Sequence, residues 1–407
     1  EMTVRIQADA DCPITNQPFR LLSKFGFSEL RTIRVTPFPI VAEDATGPTA
    51  VPNTNGLTFC GVLESGDIDR YEIALKEGGR LSVEVEAVRL GYELLDTVLK
   101  IYDPHGKLLT RVDDDPLFQQ DPVASIVATE SGKYLVEVNE TNYQGSSDSY
   151  YALHIGAFPR PSVVFPAGGR LGQQLALQLI DADGRRETQM IRLPIEMPSE
   201  GFQLQTDPSG GSSIPTPLPF RLSKMEAVRE SEPNNTPAEA QALVISPAAF
   251  DGIIDYTGDV DWFRLRIRQS ALLPRRIRIE TFADSIGSPI DTMLKLFDSE
   301  GRLVATNDDW GSHDSRIEFT PAENTEYLVA VSDKLGGGKR NSVYRVEVNA
   351  AEPRITAFLP RPDRVTQDAQ VISIPQGNRI VKRVGIKREY VDGEVTLQFQ
   401  DLPPGVY

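Results

Sequence analysis

The chain is poor in the residue types on which many compact catalytic and metal-binding folds rely. Its 407 residues include two cysteines, Cys12 and Cys60, and three histidines, His105, His154 and His313. Two cysteines exclude a disulfide-dense scaffold and a multi-cysteine zinc site, and the even count leaves open whether they pair. The histidines are dispersed, and neither a His-Glu-x-x-His helix nor a Gly-x-Ser-x-Gly elbow is present. Gly336-Gly337-Gly338-Lys339 lacks the spacing of a phosphate loop. No stretch approaches the roughly 18 uninterrupted apolar residues of a membrane-spanning helix. Positive charge is in deficit: 42 Lys and Arg stand against 58 Asp and Glu, a formal net charge of −16. Such a surface repels phosphate backbones, which argues against nucleic acid as a partner, and it suits hard cations. No basic-then-apolar leader opens the chain, and Glu1 is not an initiator residue. The sequence therefore reads as a piece of a larger protein, and the missing leader carries no information about export.

Glycine (31) and proline (30) punctuate short β-branched runs, the pattern of an all-β protein of two to four domains. An ordered duplication is the main internal signal. Gly66-Asp67-Ile68-Asp69-Arg70-Tyr71 recurs as Gly258-Asp259-Val260-Asp261-Trp262-Phe263, and Asp96-Thr97-Val98-Leu99-Lys100 as Asp291-Thr292-Met293-Leu294-Lys295. An aromatic-Asp-x-x-Gly turn comes after each, then an acidic loop (Asp113–Asp115; Asn307–Asp309), a Tyr-Leu-Val strand at Tyr134 and Tyr327, and a closing strand at Tyr151 and Tyr344. Leu81–Ala87, Tyr134–Val138 and Arg276–Glu280 alternate apolar and polar residues as half-buried strands do. Recurrence of Tyr71, Trp262, Phe263, Tyr134, Tyr327, Tyr151 and Tyr344 at equivalent strand positions predicts core packing. One short helix is expected at Thr236–Ala242, with Pro237 in its first turn.

This repeat resembles the bacterial pre-peptidase C-terminal (PPC) domain, which has the fold of the collagen-binding domain of bacterial collagenases. The resemblance rests on Glu232-Pro233-Asn234-Asn235-Thr236-Pro237-Ala238-Glu239-Ala240, the Gly-Asp-x-Asp motif, the Asn-Asp-Asp loop and the Tyr-Leu-Val strand. It implies tandem jelly-roll-like β-sandwiches at 41–157 and 227–350. Strand-like runs at 1–40, 158–226 and 351–407, among them Phe19–Leu21, Thr32–Val35, Gln174–Ile180, Gln370–Pro375, Arg379–Lys387 and Glu394–Phe399, read as immunoglobulin-like segments or parts of them, interleaved with the sandwiches.

The family's calcium site joins an incoming Glu-x-Glu-x-Asn-Asn/Asp linker to an early loop. The residues matching it are Glu230, Glu232, Asn234 and Asn235, with Asp259 and Asp261 as loop partners. The chemistry is coherent on its own terms, since calcium takes about 6–8 oxygen ligands and alternate residues of an extended linker share a side. The alternative is that Asn234–Thr236 caps the short helix while the aspartates make turn hydrogen bonds. In the first copy Glu43 aligns with Glu230 and Asp67 and Asp69 remain, but Asp44–Pro48 replaces Ser231–Asn235, so a metal there stays an open question. The acidic loops Asp113–Asp115 and Asp308–Asp309, and Asp181-Ala182-Asp183-Gly184, read as turns.

The functional expectation is a non-catalytic, calcium-binding structural, adhesion or substrate-targeting region of a secreted bacterial protein, placed outside the cell, at its surface or in the periplasm. Its partner would be an extracellular protein, a polysaccharide or another copy of itself. The alternative expectation is the accessory region of a secreted peptidase or other hydrolase whose catalytic domain lies elsewhere.

Overall fold

The computed structural model describes residues 5–406 apart from 10–11, 25, 29–30, 44–46, 53, 116, 119, 199–201, 206–213, 268–275, 311–312, 323–324, 361–371, 373, 400–401 and 403. The chain is all-β, and the duplicated sequence is a duplicated pair of five-stranded sheets. In the first copy one sheet runs, in spatial order, Leu108–Val112, Thr97–Tyr102, Gly132–Glu140, Asp69–Leu75, Thr49–Val51. The facing sheet runs Val123–Val127, Arg80–Glu86, Tyr150–Gly156, Leu57–Val62, Ile40–Ala42. The second copy repeats this order strand for strand. One of its sheets is Leu303–Asn307, Thr292–Phe297, Glu326–Asp333, Val260–Ile267, Gln241–Ser246; the other is Arg316–Phe319, Ile277–Phe282, Val343–Ala350, Ala248–Ile253, Glu226–Arg229.

Pairing is antiparallel except at one edge of each sheet, where the incoming linker adds a parallel strand. Glu226–Arg229 pairs with Ala248–Ile253 in one sheet, and Gln241–Ser246 then pairs with Val260–Ile267 in the other. The linker therefore crosses the open edge of its sandwich, and whatever it carries between 229 and 241 sits at that crossing.

Period-two alternation puts one residue set of each strand between the sheets. In Asp69–Leu75 that set is Tyr71, Ile73 and Leu75; in Val260–Ile267 it is Phe263, Leu265 and Ile267. The recurring tyrosines Tyr71, Tyr134, Tyr151, Tyr327 and Tyr344 are buried there as expected. Trp262 is the exception: it comes directly after the inward Asp261, so alternation turns it to the outer face, where it packs on Phe297 with ring centroids 5.1 Å apart.

The helix expected at Thr236–Ala242 does not form. Glu239 N–H donates to Thr236 O at 3.0 Å and the Thr236 hydroxyl to Glu239 Oε2 at 2.8 Å, which closes a single turn. The capping signature is real, but the next run, Gln241–Ser246, is apolar and pairs at the sheet edge instead of continuing the helix. Asp181–Gly184 is the hairpin turn of the three-stranded sheet Val163–Phe165, Gln174–Ile180, Arg186–Arg192. In the last segment the observed pair is Arg354–Phe358 with Gly385–Glu389. Arg379–Lys387 is strand only from Gly385, Glu394–Phe399 has no strand, and half of Gln370–Pro375 lies outside the described residues. The apolar members of these runs, Val381 at 92% and Phe399 at 65%, are exposed, and an alternating run without a partner strand is not stable in water. Cys12 and Cys60 are both free thiols.

Buried carboxylates on the outer faces of the sheets are matched by arginines. Arg345, fully buried, pairs with Asp251 at 2.8 Å and Glu347 at 3.0 Å, and Asp251 also accepts Ala167 N–H at 3.1 Å. Arg221 of the intervening segment reaches the same Glu347 at 2.8 Å. In the first sandwich Arg160 and Arg89 hold Glu84 at 2.8 and 3.2 Å. Removing one member of such a pair leaves an uncompensated charge, at a cost of about 3–5 kcal/mol. Arg345→Met is therefore expected to lower the denaturation midpoint of the second sandwich by that order, whereas Arg302→Ala, at an exposed pair, leaves it unmoved; urea titration of both variants checks the contrast.

Candidate metal centre

The crossing linker and the first turn of the second sandwich bring acids together without arginine. Gly258, at φ 86°, lets the chain turn so that Asp259 and Asp261 both point inward, 2% and 0% exposed. The linker is tied to this turn through its backbone. Glu230 N–H donates to Asp251 O at 2.9 Å, and Trp262 N–H donates to Asn234 O at 2.9 Å. A cis bond joins Glu232 to Pro233.

Of the six residues the sequence nominates, Glu232, Asp259 and Asp261 each place one carboxylate oxygen within 4.8 Å of the other two. The inward end of the Asn234 carboxamide lies 3.0 Å from Asp261 Oδ1 and 3.1 Å from Glu232 Oε2, and Asn234 is fully buried. With its nitrogen inward the amide donates to both acids. With its oxygen inward it adds another acceptor, which only a cation reconciles with its neighbours. Asn235 donates Nδ2–H to Glu232 Oε2 at 3.1 Å, while its own Oδ1 is buried and meets no donor. Glu230 lies behind the group: Oε1 accepts Ile253 N–H at 2.8 Å, and Oε2 is buried without a donor. Asp259 Oδ2 accepts Asp255 N–H at 2.9 Å, and its Oδ1 is likewise orphaned.

Two groups belong to the site that sequence reasoning reads only as packing or passes over. The Tyr344 hydroxyl, at the floor, donates to Asp261 Oδ2 at 2.6 Å. Gly252 leaves the room that Tyr344 and Glu230 occupy, since a Cβ there would collide with both. Gly61, Tyr151 and Glu43 repeat this arrangement in the first copy, so the signal is a pair of glycines at matching strand positions. The acidic loops are accounted for otherwise: Arg111 pairs with Asp113 at 2.8 Å, Asp115 accepts Leu117 N–H at 3.0 Å, and Lys334 lies 3.0 Å from both Asp308 and Asp309.

Burial raises the affinity of Glu230 and Asp261 for protons, and each acid's acidic neighbours add to it: Asp261 acts on Glu230, Asp259 and Glu232 on Asp261. Asp259 is shifted the same way, first by burial and then by Glu232 and Asp255. Acids whose folded pKa lies above the unfolded one stabilise fully below about pH 4, and that contribution is lost as pH rises through the folded value. In chelator, the second sandwich is thus expected to weaken steadily from about pH 4 to beyond pH 7. Glu230→Gln should flatten this slope; urea midpoints at pH 5 and pH 8 measure it.

No protein family and no characterised protein matches the sequence. Solved structures show low similarity. The pre-peptidase C-terminal domain of collagenase from Bacillus anthracis is 14% identical, with TM-score 0.21, covering 31% of this chain and 96% of that one. A periplasmic inhibitor of g-type lysozyme from Aeromonas hydrophila is 15% identical, with TM-score 0.21, covering 28% and 98%. Tandem CBM51 modules of a family 98 glycoside hydrolase from Streptococcus pneumoniae are 9% identical, with TM-score 0.19, covering 72% and 83%. Among the described residues no helix is long and apolar enough to cross a membrane.

Proposed function

We propose that this chain is a non-catalytic run of PPC-like and intervening β-modules working outside the cytoplasm, as a spacer, adhesion or targeting region, and that calcium fixes the linker entering the second sandwich. The observation that carries the calcium reading is the set of orphaned, buried oxygens at the crossing. Asp259 Oδ1 and Asn235 Oδ1 lack donors, and three carboxylates converge with the Asn234 amide. Buried acids such as Asp251, Glu347 and Glu84 meet arginine; among the described residues no lysine or arginine pairs with Glu230, Glu232, Asp259 or Asp261. Oxygen-only donors of this number and charge suit a hard divalent ion, and the spread of the carboxylate oxygens fits metal–oxygen distances of about 2.3–2.6 Å.

Glu232, Asp259 and Asp261 would supply charge, Asn234 and Asn235 amide oxygens. Glu230 sets the negative potential from behind while holding Ile253 N–H. The ion would offset the mutual repulsion of these acids and fasten linker to turn. Calcium levels outside cells are high and steady, so the clamp would be closed there.

A ligand at a hundredfold excess over its dissociation constant stabilises the folded state by about 2.7 kcal/mol. Calcium is accordingly expected to raise the melting temperature of the wild type over that in chelator, and Glu232→Ala combined with Asp259→Ala to abolish the rise. No calcium response in the wild type would sink the clamp and leave a metal-free spacer.

A further inference from the structure

The first sandwich holds the same inner residues around a different solution. Glu43 Oε1 accepts Val62 N–H at 3.2 Å, as Glu230 accepts Ile253 N–H, and the Tyr151 hydroxyl donates to Asp69 Oδ2 at 2.5 Å, as Tyr344 donates to Asp261. Two things differ. The stretch between the two linker strands has six residues, 43–48, against eleven, 230–240, in the second copy, and its sequence lacks the Glu-Pro-Asn-Asn run of 232–235. Tyr71 stands where the second copy has Phe263, and its hydroxyl lies 2.5 Å from the Tyr151 hydroxyl and 3.5 Å from Glu43 Oε2. Tyr151 is itself 3.1 Å from Glu43 Oε2. The oxygen orphaned in the second copy, Glu230 Oε2, thus has hydroxyl partners in the first.

We infer that Tyr71 selects what the first site takes: with its hydroxyl in place, the linker is held by a proton shared between Glu43 and Asp69 through the tyrosine pair, in place of a cation. This rests on the calcium reading of the second copy only for the contrast; the proton lock stands on the first copy's own contacts. Glu43 and Asp69 are half-buried and both meet the Tyr151 hydroxyl, and two acids brought this close favour keeping one proton between them. The groups facing them are acids, phenols and a thiol, with Arg70 also lining the opening. Asp67, in the preceding turn, accepts Ile68 N–H at 2.8 Å, and Glu64 lies across the opening. Tyr71 and Tyr151 come from the two sheets, and Cys60 sits beside Glu43 on Leu57–Val62. Arg70, the nearest cation on the strand, alternates outward to pair with Glu137 at 2.9 Å. Asp69 is correspondingly pushed up to about 7, first by burial and then by Glu43.

A raised pKa means that the protonated, locked form is the one favoured by folding. The lock is complete below about pH 4, weakens as pH rises, and is spent once pH has passed about 7. Hydrogen exchange of the full chain in excess calcium and, in parallel, in chelator, corrected for the intrinsic pH dependence of exchange, reads it directly. Protection of the peptides spanning 40–43 and 57–62 should fall by about tenfold per pH unit between pH 5 and pH 7 and level off above. Asp69→Asn, neutral at every pH, should remove that fall, and Tyr71→Phe should lower protection at pH 5 towards its pH 8 level. Protection of 226–253 in the same samples reports the calcium clamp separately. A pH-independent 40–62 region in the wild type, or one protected by calcium at pH 8, overturns the proton lock whatever 226–253 does; a calcium-insensitive 226–253 overturns the clamp alone.

Discussion

A carboxylate removed from water requires a compensating partner, and the way each buried acid in this chain meets that requirement organises the rest. On the outer sheet faces the partner is arginine. Arg345 between Asp251 and Glu347, and Arg89 and Arg160 around Glu84, turn would-be liabilities into joints that also reach the intervening segment through Ala167 and Arg221. At the linker crossing of the second sandwich no arginine pairs with the acids among the described residues. Tyr344 and Tyr151 each donate to an aspartate there and at the matching place in the first copy, and in our proposals the remaining charge is met by a cation in one copy and a proton in the other.

Duplication makes the comparison informative, because the two copies share strand order, linker path and the inner Gly-Tyr-Glu-Asp arrangement. Against that background two differences stand out: the hydroxyl of Tyr71 against Phe263, and a stretch of six residues between the linker strands (43–48) against eleven (230–240).

Much of the fold is legible from period-two alternation and the ordered repeat, because strand faces and turn residues are written locally: Leu81–Ala87, Tyr134–Val138 and Gln174–Ile180 form strands where alternation predicts them. The Thr236–Glu239 turn reads as a helix in sequence because a capping signature fixes one turn only, and the fate of the next residues is decided by a sheet edge distant in sequence. In the candidate site the carboxylates are named by the resemblance of Glu230–Asn235 and of Gly258–Asp261 to the PPC pattern. The Tyr344 hydroxyl, the Gly252 gap and the inward position of Glu230 are not, since each depends on strands brought together from separate stretches of chain. The outward Trp262 shows the limit of reading recurrence as burial: adjacent strand residues face opposite ways, so Trp262 and Phe263 cannot both be core.

The parallel linker strand fixes where each sandwich is tethered. Glu226 lies beside Ala248, and Ala248 beside Val348, so the chain enters and leaves the second sandwich at the same end, two strands apart. Ile40, Thr58 and His154 stand in the same relation in the first. Tension applied between the entering and leaving chain would therefore peel the linker strand one hydrogen bond at a time instead of shearing all of them together. The acid cluster begins at the opposite end of that strand, with Glu230, about 13 Å from the tether at roughly 3.3 Å per residue. It is therefore the last point that a peeling front would reach, a stop placed where the zipper ends.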